Sequence, residues 1–124
     1  MRLGILMTAV LAGLCSLPQS AAALSAGDRA LGNYQGAGYW FPAVVSKTSG
    51  DQLVLRYDDG DVETLPASAV KPYTWQKGYV VECNFQGNGT WYQGRITDLD
   101  GSRLTIAYDD GDREETSTGR CRSR

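Results

Sequence analysis

Two short runs hold most of the side-chain chemistry this chain offers. Tyr57-Asp58-Asp59-Gly60-Asp61 and Tyr108-Asp109-Asp110-Gly111-Asp112 each set a phenol ring beside three carboxylates, with Glu63 and Glu114 close behind. Carboxylate clusters attract metal ions, but this spacing does not fit a helix-flanked calcium loop. Asp followed by Gly is ordinary hairpin-turn chemistry, the glycine supplying a left-handed backbone position. Asp59 and Glu63 pairing as acid and base would need a shielded site, and hairpin turns are usually solvated. The chain has no His for proton transfer, and no nucleophile stands beside an activating partner. Zinc fares no better, since Cys83 and Cys121 without a His do not complete a tetrahedral site. The expectation is a non-enzymatic protein with no catalytic residue, no metal and no cofactor.

The two runs lie 51 positions apart, and the rest of the chain obeys the same shift without a gap. Gly27 falls on Gly78, Asn33 on Asn84, Gln35-Gly36 on Gln86-Gly87, Gly38 on Gly89, Trp40 on Trp91, Gly50 on Gly101 and Leu53 on Leu104. A gapless repeat is one structural unit used twice. The expected units are residues 27–73 and 78–124. Each has about fifty residues, buries a thin core and is marginal alone. The pair must lean on each other or on a covalent staple.

Each unit reads as all-β, with short β-branched and aromatic runs divided by Gly and Asp clusters. Strands are expected near Asp28–Asn33, Tyr39–Lys47, Gln52–Tyr57, Val62–Leu65 and Val70–Tyr73. The second copy repeats them near Tyr79–Asn84, Thr90–Asp98, Ser102–Tyr108, Arg113–Thr116 and Arg120–Arg122. Pro66–Ala69 and Ser117–Gly119 each suit one tight turn. Side chains alternate faces along a strand. Phe41, Ala43 and Val45 match Tyr92, Gly94 and Ile96, which assigns them the inward face. Trp40 and Trp91 then point outward, either against the sister unit or the linker Thr74–Lys77, or onto a ligand surface.

The ends add a compartment. Met1-Arg2, the apolar run from Leu3 to Leu14 and the small-residue tail closing Ala21-Ala22-Ala23 have the layout of a cleaved secretory signal, residues 1–23. The run is too short to span a bilayer. Lipidation at Cys15 fits poorly, because Leu14 stands where a lipobox wants a small residue. A secreted or periplasmic protein is expected, and the remaining pair, Cys83 and Cys121, is expected to form a disulfide. The net charge of −2 argues against a nucleic-acid binder. Arg113, Arg120, Arg122 and Arg124 read as a frayed, solvated tail.

These residues resemble the Tudor and Agenet families of small Src-homology-3-like barrels. Tyr39-Trp40-Phe41-Pro42-Ala43-Val44-Val45 is similar to the Agenet second strand, and Leu55-Arg56-Tyr57-Asp58-Asp59-Gly60-Asp61 to the Tudor third strand and hairpin. The second copy keeps Trp91-Tyr92 and Ile106-Ala107-Tyr108-Asp109-Asp110-Gly111-Asp112. The fold implied is two tandem five-stranded barrels. The resemblance also implies an aromatic cage for a cation, such as a methylated lysine or arginine, built here by Tyr34, Phe41 and Tyr57 with Asp59 as acceptor. The second copy offers Phe85, Tyr92, Tyr108 and Asp110. A cation over an aromatic face gains roughly 0.5–2 kcal/mol, so several faces and one carboxylate can hold it. Phe41 and Tyr57 share the inward face, so a plug for the barrel is an equal reading. Asp61 and Asp112 replace a further wall seen in some Tudor cages, which opens the site to unmethylated cations and amines. The implied partner is a protein, peptide or small cationic ligand. The alternative is a structural barrel pair docking within the cell envelope, with no working cage.

Overall fold

The computed structural model describes residues 24–124. The expected signal segment, with Cys15, lies outside the described residues.

Ten strands follow in chain order: β1 (Arg29–Asn33), β2 (Trp40–Ser49), β3 (Gln52–Tyr57), β4 (Val62–Pro66), β5 (Val70–Pro72), β6 (Val80–Asn84), β7 (Trp91–Asp100), β8 (Arg103–Tyr108), β9 (Arg113–Ser117) and β10 (Cys121–Arg122). They form two antiparallel five-stranded sheets, ordered β4-β3-β2-β1-β5 and β9-β8-β7-β6-β10. The expected strands are all present, with ends shifted by a residue or two. One 3-10 turn, Ala67–Ala69 or Thr118–Arg120, leads into each last strand. The protein is all-β, two tandem Tudor-like small barrels.

The second strand of each unit is long because it bends. Its register against the third shifts between Val45 and Lys47, and between Ile96 and Asp98. Such a bulge sharpens strand twist and helps a small sheet curl. The extra residues match in the two copies: Ser46 Oγ donates to the Val54 carbonyl at 3.1 Å, and Thr97 Oγ1 to that of Thr105 at 3.3 Å.

The inward face holds along the middle of the strands, but at the barrel end Phe41 is only half-buried and Tyr92, assigned to the same face, is exposed. Ala43, Val45, Leu53, Leu55 and Tyr57 are buried in the first core, and Ile96, Leu104, Ile106 and Tyr108 in the second. Volume is redistributed between copies. Ala30 faces Ala43 across β1 and β2, whereas Val81 faces Gly94 across β6 and β7. A Cβ on Gly94 would stand 2.5 Å from the Ala107 carbonyl oxygen, so the larger side chain sits on the other strand.

Each repeat reaches back further than the sequence boundaries of 27 and 78. Leu24 is buried in the first core, and Trp75, its counterpart 51 positions on, is buried in the second. Gly27 N–H donates to the Val45 carbonyl and Gly78 N–H to that of Ile96, both at 2.7 Å.

The two units share an interface, and β10 is its centre. Cys83 and Cys121 are direct cross-strand partners joined by the expected disulfide. Just beyond, Trp40 and Ser123 exchange backbone hydrogen bonds of 2.8 and 2.9 Å, which carries pairing from one unit to the other. Leu31 leaves the first barrel to join the second core. The reading of the last arginines as a solvated tail is corrected for Arg122; Arg113, Arg120 and Arg124 are exposed. The Arg122 guanidinium lies 3.7 Å from the Tyr39 ring centroid and 4.1 Å from that of Trp91, and bonds Glu82 at 2.9 Å. Arg124 joins the same carboxylate at 3.0 Å. Two ring faces and a carboxylate offset the hydration that the guanidinium gives up at the edge of the core. The outward tryptophans are accounted for in the same way. Phe41 and Trp91 meet edge to face with centroids 6.0 Å apart, and Lys71 caps Trp40 at 4.2 Å.

Candidate functional site

Three rings converge at the end of the first barrel. Tyr34 stands on the 3-10 turn after β1, Phe41 on β2 and Tyr57 at the end of β3. Their centroids are 5.9, 5.4 and 6.5 Å apart, all edge to face. Edge-to-face packing leaves faces of the rings free for a cation.

The three rings differ in role. Tyr57 is 3% exposed and forms the floor. Its hydroxyl donates to Glu63 Oε1 at 2.7 Å. Burial first, and then that hydrogen bond to a carboxylate, push its pKa well above the ordinary tyrosine value. Gly32 lies beneath it, where a Cβ would come within 2.5 Å of the hydroxyl. Tyr34 is a wall: its hydroxyl donates to Asp61 Oδ2 at 3.0 Å, and that bond raises its pKa. The turn that presents Tyr34 is held by Glu63 as well. Gln35 adopts φ 53°, a left-handed position rare for a residue with a Cβ, and its N–H donates to Glu63 Oε2 at 3.0 Å. One carboxylate thus fixes both floor and wall.

Asp59 sits at the hairpin tip, where its Oδ1 accepts the Asp61 N–H at 3.0 Å. It lines the cavity that the rings surround. That cavity has a volume of about 440 Å³. Its remaining lining comes from the second unit: Asn84, Gly87, Trp91, Gly119 and Arg120.

The second cluster is a close copy of the first, without the cavity. Phe85, Tyr92 and Tyr108 have centroids 6.2, 5.6 and 6.3 Å apart. Tyr108 donates to Glu114 at 2.6 Å, and Gln86, at φ 52°, donates its N–H to the same carboxylate at 2.9 Å. Asp110 accepts the Asp112 N–H at 3.0 Å. Tyr92 is 44% exposed, and the hollow among these residues is about 90 Å³. Among the described residues no further unit stands against it as the second stands against the first.

Asp58 ties the first hairpin to the second unit. It forms a two-pronged ion pair with Arg29 at 2.6 and 2.9 Å and accepts the Thr118 hydroxyl. Burial would raise its pKa, but the Arg29 and Thr118 hydrogen bonds outweigh it and hold the carboxyl below its ordinary value of 3.8. Gly119 packs directly on that hairpin, where a Cβ would meet the Asp58 carbonyl carbon and Asp59 nitrogen at 3.0 Å. The counterpart Asp109 is exposed and receives only the Gln93 amide at 2.9 Å.

All eight ring and carboxylate residues expected from the sequence fall in these two clusters. The contributions of Asn84, Gly87, Trp91, Gly119 and Arg120 to the first were not anticipated. A signal existed where the copies differ: Ala67-Ser68-Ala69 becomes Thr118-Gly119-Arg120, and Leu31 becomes Glu82. Among the described residues no group of three or more metal-ligating side chains comes together.

A family model for the Agenet domain matches residues 33–75. Those residues include the first ring cluster, from Tyr34 through Glu63. The match covers the first repeat, and the second repeat has the same strand order. The fold of the chain is similar to the solved tandem Tudor domains of Crb2 at 14% identity and a TM-score of 0.53, covering 87% of this chain and 81% of that one. It is also similar to the tandem Agenet domain 3-4 of ADCP1, at 16% identity and a TM-score of 0.40 over 99% of this chain and 90% of that one. Arabidopsis thaliana AGDP1 AGD34 matches at 16% identity and a TM-score of 0.41, over 100% and 92%. No curated protein sequence matches the chain.

Proposed function

We propose that the protein is an exported, non-enzymatic binding module that holds a cationic group against Tyr34, Phe41, Tyr57 and Asp59. The carrying observation is that these three rings and one carboxylate line a cavity of about 440 Å³. A methylated lysine or arginine, or another amine, gains cation–π contact with the rings and Coulomb attraction from Asp59. The likeness to Agenet and Tudor domains supports the same reading. Export rests on the signal-like residues 1–23, with cleavage after Ala23. The partner is a protein, a peptide or a small cationic ligand; no nucleic acid is required.

The copies do not share the work equally. The second cluster has the same rings and only about 90 Å³ of space, which favours a structural role for that unit, including its walling of the first cavity. The alternative, a barrel pair that docks within the cell envelope with no working cage, would leave every cation unbound. Calorimetric titration with trimethyllysine, dimethylarginine, choline, lysine and arginine tests the proposal. Tyr34→Ala and Phe41→Ala should each weaken the best ligand by roughly 5- to 30-fold, the loss of one cation–π face. Unchanged affinity in both variants would sink the reading.

A further inference from the structure

The cavity is lined by charges of both signs, one from each unit. Asp59 comes from the first hairpin and Arg120 from the turn before β10. Arg29, Arg122 and Arg124 around the interface each hold a carboxylate. Arg120 has no carboxylate partner among the described residues, and it lies over Gly87, where a Cβ would meet its guanidinium carbon at 3.2 Å. The first unit has Ala69 at the equivalent place, so this cation is special to the second copy. An unpaired guanidinium in the wall repels a ligand that is only positive. It is complementary to a ligand with an anion, because guanidinium binds carboxylate through two parallel hydrogen bonds. Asn84 adds a donor: its Oδ1 already accepts the Gly89 N–H at 2.7 Å, which leaves its amide N–H groups. The volume of about 440 Å³ also suits more than a single ammonium group.

We infer that the cavity takes a dipolar ligand, a lysine- or arginine-type cation against Tyr34, Phe41 and Asp59 with a carboxylate a few bonds away on Arg120. The inference rests on the cation-binding reading and names the ligand class for that site. Two sources supply this chemistry: the terminal carboxylate of a basic residue, or an acidic side chain next to it in a peptide.

The test uses paired probes on the oxidised protein. The first pair is Nα-acetyl-trimethyllysine with a free carboxylate and its methylamide. The second is acetyl-trimethyllysyl-aspartate methylamide and its asparaginyl analogue, both with a blocked C-terminus. In at least one pair the acid should bind about tenfold more tightly than its neutral twin, as one charge-assisted contact predicts. That preference should fall below about twofold in Arg120→Gln and return in part in Arg120→Lys. The first pair answering marks a terminal residue, the second an internal motif. Acid and neutral probes binding equally in the wild type, with affinity still lost in Phe41→Ala, would overturn the dipolar ligand and leave the cation site standing. A preference that survives Arg120→Gln would also overturn it. If none of the four probes binds, the dipolar ligand falls; the cation site falls with it only if the calorimetric panel of lysine, arginine, their methylated forms and choline is silent as well.

Discussion

Glu63 and Glu114 are the residues on which each ring cluster turns. Each accepts a tyrosine hydroxyl from the floor and a backbone N–H from a strained turn. Removing the carboxylate leaves a buried phenol unpaired and frees a left-handed Gln to relax. Glu63→Ala should therefore cost about 1–3 kcal/mol, read from urea denaturation. Tyr34→Ala touches an exposed hydrogen bond instead and should cost well under that while weakening ligand binding. If Glu63→Ala is neutral, the carboxylate does not organise the site. The rings and the hairpin acids were legible from the repeat and the Tudor resemblance. The role of Glu63 was not, because a residue two places past a turn looks like another solvated acid until the strand register brings it under Tyr57.

At the scale of elements, the hairpin between β3 and β4 is clamped by the turn before β10. Asp58 bridges Arg29 and Thr118, and Gly119 lets the two backbones touch. Gly119→Ala should push the Asp58–Asp59 hairpin away, lower stability and weaken ligand binding, whereas Ser68→Ala at the equivalent place should do neither. The Asp58 contacts also set a pH dependence. Its carboxyl titrates below its ordinary value when folded, so the native protein binds fewer protons there than the unfolded chain. The stabilisation is complete above about pH 5 and is lost as pH falls through the ordinary value of 3.8 toward the lower folded one. Asp58→Asn should remove about 1.5–3 kcal/mol at pH 7 and flatten that acid limb. An acid limb unchanged in Asp58→Asn would assign it to other carboxylates. Strand positions and inward faces were readable because period-two alternation repeats in both copies. The clamp was not, since contacts between units leave no periodic trace and appear only where the copies depart from each other.

For the whole molecule, the interface makes one site out of two barrels. Strand β10 carries the disulfide and the Arg122 sandwich, and Ser123 just past it makes the backbone link to Trp40. Reducing Cys83–Cys121 should cost roughly 3–4 kcal/mol, the cross-link's loop-closure contribution. It should also loosen the strand that positions Trp91 and Arg120, so affinity should fall together with melting temperature. Affinity unchanged in a reduced but still folded protein would uncouple the disulfide from the site. Sequence pattern gave the cysteine pair correctly but read Arg122 beside it as solvent-facing. Its partners, Tyr39, Trp91 and Glu82, lie 31 to 83 positions away in the chain and meet it only through tertiary packing. The most direct test of the account is a backbone and aromatic NMR titration with Nα-acetyl-trimethyllysine. Shift changes should concentrate at Tyr34, Phe41, Tyr57, Asp59, Trp91 and Arg120, and saturate together. Changes confined to Phe85, Tyr92 and Tyr108, or absent throughout, would contradict it.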